Sequence, residues 1–263
     1  MINNYNHPAR TAECIATLDL VSNGRVDFGT GESSAILELG GFDIPVESKR
    51  EQYLEATEQI ANMLAMDPYP GYEGKYFSMP CRNIVPKSVQ KPHPPLFQPF
   101  ASSENSIRWC AQEGVTAVLP PMHEKTEMRL SQLYAEESGR PLGDGVAFLR
   151  DILIADSDAE ADAMWRDSSR FVAETWFEPF GFRRGMIDPD TGEYPSPEEM
   201  IDKGYVLVGT VDTVCKRMEA LMSRLPVEWI FAWTFNGLVP NATILKSLEL
   251  YQTKVLPKLG LSA

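Results

Sequence analysis

Two rhythms alternate along the chain. Apolar residues three and four positions apart mark amphipathic helices, and short continuous apolar runs between them mark buried strands. The spacing predicts helices over 9–21, 47–66, 103–113, 124–137, 158–177, 211–224 and 241–255. The cleanest is 211–224, where Val211, Val214, Cys215, Met218, Leu221 and Met222 keep one apolar face. Breakers agree with these limits. Asn23-Gly24 closes the first helix, because glycine accepts the left-handed conformation of a helix end. Asp67-Pro68 closes the second, because a residue before proline avoids the helical region. Strands are predicted over 25–29, 96–100, 115–119, 146–155 and 229–234, around Val26, Phe97, Val118, Leu153 and Ile230.

Two stretches break the rhythm. Residues 67–95 are rich in Pro and Gly and read as a small hairpin and a rigid loop, with extended pieces at 75–78 and 83–85. Residues 181–203 hold Asp188-Pro189, Thr191-Gly192 and Pro195-Ser196-Pro197, the mark of a loop or insertion. Strands alternating with amphipathic helices imply a parallel sheet covered by helices. The expectation is one α/β domain over 1–263, of (β/α)8 TIM-barrel type. With five strands where a closed barrel needs eight, it is a partial barrel. Such a sheet has two open edges, beside Val26 and beside Ile230.

Composition narrows the partners. The chain has 263 residues, 24 Lys and Arg against 37 Asp and Glu, and a formal net charge of −13. Phosphate backbones and anionic lipid both require clustered cations, so neither nucleic acid nor a membrane surface is expected. Cys14, Cys81, Cys110 and Cys215 lie far apart with no C-x-x-C spacing. They read as buried reduced thiols, and no metal site is expected. Residues 1–10 lack the apolar centre of a signal peptide, so a reducing cytoplasm is the default.

The opening reads His7-Pro8-x-Arg10-x-Ala12-Glu13-x-x-Ala16-Thr17-Leu18-Asp19-x-x-Ser22-x-Gly24-Arg25-x-x-x-Gly29-x-Gly31. It closely resembles the central signature of the bacterial luciferase-like monooxygenases, a flavin-using TIM-barrel family. Further fragments follow in the family's order. They are Tyr72-x-Gly74-Lys75-x-Phe77, Pro86-Lys87-x-x-Gln90-Lys91-Pro92-His93-Pro94-Pro95, Gly209-Thr210, Phe235-x-Gly237, Ser247-Leu248-Glu249 and Val255-Leu256-Pro257. In the family the signature follows three strand–helix units, so the resemblance implies a barrel without them. An N-terminally truncated gene product is one reading of that position.

The resemblance also implies a site. Ala101-Ser102-Ser103-Glu104-Asn105-Ser106 leaves a strand and enters a helix, where hydroxyls and unpaired N–H groups favour an anion. Family members hold the flavin phosphate at the positions of Ser103 and Ser106, with Ser102 beside them. Read without the family, the same serines are ordinary helix caps. The resemblance implies a second contact at Gly29-Thr30-Gly31-Glu32-Ser33, with Gly31 and Glu32 as its cofactor-facing residues. The family has an arginine on the phosphate where this chain has Glu32. An acid there repels phosphate, unless it turns away and Ser33 or Ser34 supplies hydroxyls.

Gly209-Thr210-Val211 is a competing anion site, since TIM barrels often bind phosphate after their last strands. Thr210 as a simple cap is the plainer reading. Asp19 and Arg25 suggest a structural ion pair or cap. Of the three histidines only His123 stands at the C-terminal end of a strand, where this fold places catalytic groups. The family's catalytic histidine lies in the segment implied to precede this chain, so the catalytic residue is unassigned. Trp165, Phe171, Trp176, Phe177 and Phe180 read as core or interface rather than a flavin box.

The function implied is that of a flavin-dependent monooxygenase or oxidoreductase acting on a small organic substrate with FMN and oxygen. The cofactor supplies the chemistry and the protein positions it. A separate reductase would supply the reduced flavin, and a homo- or hetero-oligomer is expected. A deazaflavin user and a non-catalytic flavin-binding or partner subunit are the alternatives.

Overall fold

His7 caps the first helix of the computed structural model, α1 (Pro8–Ser22), its side chain accepting from the Ala9 N–H. Pro8 stands in the first turn, where a missing N–H costs nothing. Asn23 ends the helix in the left-handed region at φ 58°. The structure describes all residues except 34, 178–184, 235–236 and 263. Ser34, Phe180, Gly181 and Phe235 therefore lie outside the described residues, as do the side chains of Trp176 and Phe177.

Two units form, Met1–Phe100 and Ala101–Ala263. In the first, α1 is followed by β1 (Phe28–Gly29), α2 (Ile36–Gly41), α3 (Lys49–Ala65), β2 (Tyr72–Glu73), β3 (Ser78–Met79) and β4 (Leu96–Pro99). β1 and β4 are parallel, with Phe28 beside Leu96 and Gly29 beside Phe97. Ala12, Ile15 and Ala16 of α1 pack with Ile60, Met63 and Leu64 of α3, and Phe28 and Tyr69 close that core. β2 and β3 form an antiparallel hairpin. The edge of β1 expected to stand open is met by the chain's own first residues. The Gly31 N–H donates to the Met1 carbonyl at 2.9 Å, and the Asn3 N–H to the Gly31 carbonyl at 3.2 Å.

The second unit runs α4 (Glu104–Glu113), β5 (Thr116–Leu119), α5 (Glu124–Ser138), β6 (Val146–Ile154), α6 (Asp158–Val172), α7 (Pro197–Asp202), β7 (Val206–Gly209), α8 (Val211–Arg224), β8 (Trp229–Trp233) and α9 (Asn241–Leu250). The long strand β6 is its axis and is parallel to three others. Val118 of β5 pairs Ala147, Leu153 pairs Val208 of β7, and Phe148 pairs Ile230 of β8. Ala147 and Asp151 each also have a β8 partner, Trp229 and Trp233, so β5 and β7 share one edge of β6 and β8 takes the other.

Period-two alternation gives β6 two different faces. Ile152 and Ile154 pack with Val214, Cys215 and Met218 of α8, and Ile230 and Ala232 join them. Leu153 turns the other way, to Trp165 of α6, Met200 and Tyr205. Arg150, on the Ile152 side, is fully buried. It donates to Glu127 Oε2 at 2.7 Å, to the Gly204 carbonyl and to its neighbour's carbonyl.

Several expectations need correction. Helices α2 and α7 and strand β7 were not foreseen. The regular helix over 158–177 gives way at Val172 to a wider π turn, Ala173–Phe177. Asp19 is not joined to Arg25 by any ion pair among the described residues. It is buried and accepts from the backbone N–H and side-chain amide of Gln90, at 2.9 and 2.8 Å. Arg25 instead donates to the Ser22 carbonyl. Of the four free thiols only Cys110 and Cys215 are buried, while Cys14 and Cys81 are exposed. Cys14 sits on the solvent side of α1, opposite the stripe that packs on α3.

Candidate functional site

The segment entering α4 has an unusual backbone. Phe100 has φ 57°, a left-handed conformation costly for a bulky side chain. Ala101 follows, buried, its N–H donating to the Val118 carbonyl at 3.1 Å. This contact fixes where Ser102 and Ser103 leave the strand. Ser103 is the N-cap: its hydroxyl accepts from the Ser106 N–H at 3.2 Å and donates to the Ser106 hydroxyl at 3.0 Å. Two hydroxyls thus converge at the start of a helix whose first amides have no intrahelical partner. Ser102 and Ser103 are exposed, and Ser106 is buried at 8%. Glu104, the acid of the first turn, is neutralised sideways by Arg129 and Arg108. The arrangement presents N–H and O–H donors and the positive end of a helix dipole, the chemistry a phosphate monoester needs.

Gly31 and Glu32 belong to the other unit. Gly31 uses its backbone against Met1 and Asn3, and a Cβ there would make only ordinary contact with Ile2. Glu32 is turned to Arg50 of α3, with Nη1 and Oε1 at 3.7 Å. Its second oxygen, Oε2, is buried without a hydrogen-bond partner. Lys49 donates to the Ser33 carbonyl at 2.7 Å, and Ser33 has φ 63°. The loop that carries an arginine in the family thus carries an acid here, and two cations reach it from α3.

The competing anion site already has an anion. At the start of α8, Asp158 accepts from the Thr210 N–H at 2.7 Å and from the Thr213 hydroxyl at 2.9 Å. The Thr210 N–H first, then the hydroxyls of Thr213 and Thr210, outweigh desolvation and hold this carboxyl below its ordinary range. Gly209, at φ 137°, is required by this closeness, since a Cβ would fall 2.7 Å from Asp158 Oδ1. An external phosphate would have to displace a built-in carboxylate.

His123 is buried and has both ring nitrogens engaged. Nδ1 accepts from the Lys125 N–H at 3.4 Å, capping α5, and Nε2 lies 3.4 Å from Asp188 Oδ2. Lys125 and the Asp190 N–H also meet Asp188, so the histidine ties the start of α5 to the 188–190 turn. Trp165 is buried and Phe171 is 41% exposed. Among the described residues no group of three or more His, Cys, Asp and Glu is placed to hold a metal ion. No helix among them is long and apolar enough to cross a membrane.

Comparison with known proteins gives this geometry its context. The family model described as luciferase-like monooxygenase matches residues 1–228. The oxygenase component of a flavin-dependent trigonelline monooxygenase from Acinetobacter baylyi is 25% identical over 88% of this chain and 67% of its own. The crystal structure of monooxygenase RslO1 from Streptomyces bottropensis superposes with a TM-score of 0.83 at 20% identity, covering 98% of this chain and 76% of the other. The oxygenating constituent of 3,6-diketocamphane monooxygenase from Pseudomonas putida, solved with FMN, gives 0.76 at 20% identity, covering 99% and 78%. These likenesses establish an α/β fold of (β/α)8-barrel type. The chain spans from 33% to 73% of the length of the first curated relatives it matches.

Proposed function

Because the chain belongs to the luciferase-like monooxygenase family, we propose that it is the oxygenase part of a flavin-dependent monooxygenase acting on a small organic substrate. FMN is the cofactor this reading takes, and a separate flavin reductase supplies it in reduced form. A relative that is an oxygenase component supports the reductase partner. When bound, reduced flavin supplies the activation of oxygen.

One observation in this chain carries the reading: the paired hydroxyls of Ser103 and Ser106 at the start of α4, with Ser102 exposed beside them. In this role the Ser103 hydroxyl turns its proton from Ser106 to the phosphate, the Ser106 hydroxyl donates beside it, and the amides of Glu104 and Asn105 donate alongside. The Glu104 carboxylate is drawn aside by Arg129, which removes the nearest negative charge from the start of the helix. Gly31 and Glu32 are proposed as a separate cofactor contact, with the Glu32 charge offset by Arg50. The cysteines, none of them in a disulfide, suit a reducing cytoplasm.

The test supplies the purified chain with a flavin reductase, NADH, FMN and oxygen, and screens ketones, aldehydes and N-heteroaromatics by mass spectrometry. Products heavier by one oxygen atom, absent without FMN, support the reading. Flavin binding with no oxygenated product would favour a binding subunit. Turnover with a reduced deazaflavin and none with FMN would move the chain to the deazaflavin users.

A further inference from the structure

A cavity of about 320 Å³ opens in the first unit, between the chain's first residues, α3 and the tip of the β2–β3 hairpin, and nothing above uses it. Asn3, Asn4, Asn6 and Gln52 line it. Each gives a side-chain N–H to a residue outside the lining. Asn3 donates to Thr57 Oγ1 at 2.8 Å, Asn4 to the Lys49 carbonyl at 2.8 Å, Asn6 to the Ile2 carbonyl at 2.9 Å and Gln52 to Ser48 Oγ at 2.9 Å. All four partners act as acceptors. Two are carbonyls, and the hydroxyls of Thr57 and Ser48 already give their protons to the Tyr53 and Pro45 carbonyls. The orientation of every amide is therefore fixed, and the ends left without a partner are all oxygens.

Asn3 is the sharpest case. It is 1% exposed, and its Oδ1 is a buried acceptor with no hydrogen bond, as is Oδ1 of Asn4. A buried acceptor left unpaired is costly, so a donor is expected there when the site is filled. Charge points the same way. Glu55 lines the cavity, and its carboxylate accepts from the N–H groups of Lys75, Tyr76 and Phe77 but forms no ion pair among the described residues. No lysine or arginine among them lines the cavity. His7 does, with its Nδ1 already accepting from the Ala9 N–H. The rings of Tyr76 and Phe77 supply apolar wall. A bare metal ion would fill little of this volume, whereas pockets of about 300–1,000 Å³ suit small organic molecules.

We propose that this cavity binds a small primary ammonium ion, which gives its N–H groups to the unpaired oxygens of Asn3 and Asn4 and lays its carbon body against Phe77. A primary ammonium carries three donors and no acceptor, the complement of a wall that offers oxygens. Its charge makes each hydrogen bond stronger than a neutral donor would, and the Glu55 carboxylate balances that charge. A quaternary ammonium has the charge without the N–H groups. An alcohol has one donor without the charge. The cavity therefore separates the three. None of the residues proposed to meet the flavin lines it, so the site goes beyond the oxygenase reading and does not depend on it.

The test uses the purified chain at constant ionic strength and needs no flavin. n-Butylammonium, tetramethylammonium and n-butanol are titrated by NMR and followed through the backbone amides of residues 3–7, 52–56 and 76–77. n-Butylammonium should saturate, shift those amides, and bind about tenfold more tightly than either analogue. Exchanging sodium for potassium in the buffer should not displace it. Asn4→Ala removes one unpaired oxygen and should weaken n-butylammonium about tenfold, with tetramethylammonium unchanged. Gln52→Lys alters a half-buried helix position and brings a tethered ammonium to the cavity, so it should abolish binding even if Asn4→Ala does not fold. Absence of saturation, shifts confined to other residues, equal affinity for either analogue, displacement by potassium, or unchanged n-butylammonium affinity in Gln52→Lys would overturn the proposal.

Discussion

Buried carboxylates show how much of this protein is decided one residue at a time. Asp19 lies in the opening signature and Gln90 in the proline-rich lead to β4, and the structure joins them. Burial opposes the Asp19 charge, yet the hydrogen bonds from Gln90 hold its carboxyl below the ordinary range. Its stabilising effect is therefore present above the unfolded carboxylate value and lost as pH falls through the folded one. Gln90→Ala should cost about 2–3 kcal/mol in urea unfolding at pH 7 and move acid unfolding to higher pH. Asp151 has the opposite sign. Its folded value, about 6 against 3.8, makes the folded state lose stability as pH rises between the two. Asp151→Asn should leave stability at pH 4 nearly unchanged and raise it at pH 8 by up to about 3 kcal/mol, read by denaturant titration. Both aspartates are plain in the sequence, but their partners are not. Asp19 suggested the cation six residues on, whereas its partner is an amide 71 residues away. Nothing local marks Asp151, because its environment is assembled by α6, β7 and β8.

Elements were legible where the apolar period is long and illegible where it is short. The seven expected helices are all present, because each spans several turns of periodic sequence. α2 and α7 have six residues each, too few for a period to emerge. The run Val206–Gly209 is buried throughout, yet no element is predicted between the 181–203 stretch and the helix from Val211, because a run of four residues is too short to show a period. The α8 cap makes a prediction at this scale. Asp158→Ala removes the acceptor of the Thr210 N–H and should destabilise the protein by about 0.5–2 kcal/mol at pH 7. That loss should vanish at low pH, where the wild-type carboxyl is protonated. The hairpin makes another. Glu55 accepts from the backbone N–H groups of Lys75, Tyr76 and Phe77, and a Cβ on Gly74 would collide with the Tyr72 ring and with Glu55 Oε1. Gly74→Ala should therefore raise amide exchange at residues 75–77, while α8 amides stay protected.

On the scale of the whole molecule, family membership was readable because the motifs have an order, and their order follows physical couplings. The signature helix and the Pro86–Pro95 lead meet through Asp19 and Gln90. The Tyr72–Phe77 hairpin is pinned to α3 by Glu55. The candidate site was readable only in part. The serines stand at the start of α4, as the strand-to-helix pattern predicts, whereas the occupation of the Thr210 site by Asp158 needed three dimensions. The central claim is that the start of α4 takes the phosphate of reduced FMN. It is tested most directly by anaerobic titration of the wild type and of the Ser103→Ala, Ser106→Ala double variant with reduced FMN and with reduced riboflavin, which lacks the phosphate. The wild type should prefer FMN, and the double variant should lose about 1–3 kcal/mol of FMN affinity with riboflavin unchanged. Equal loss for both flavins, or no loss for FMN, would contradict it.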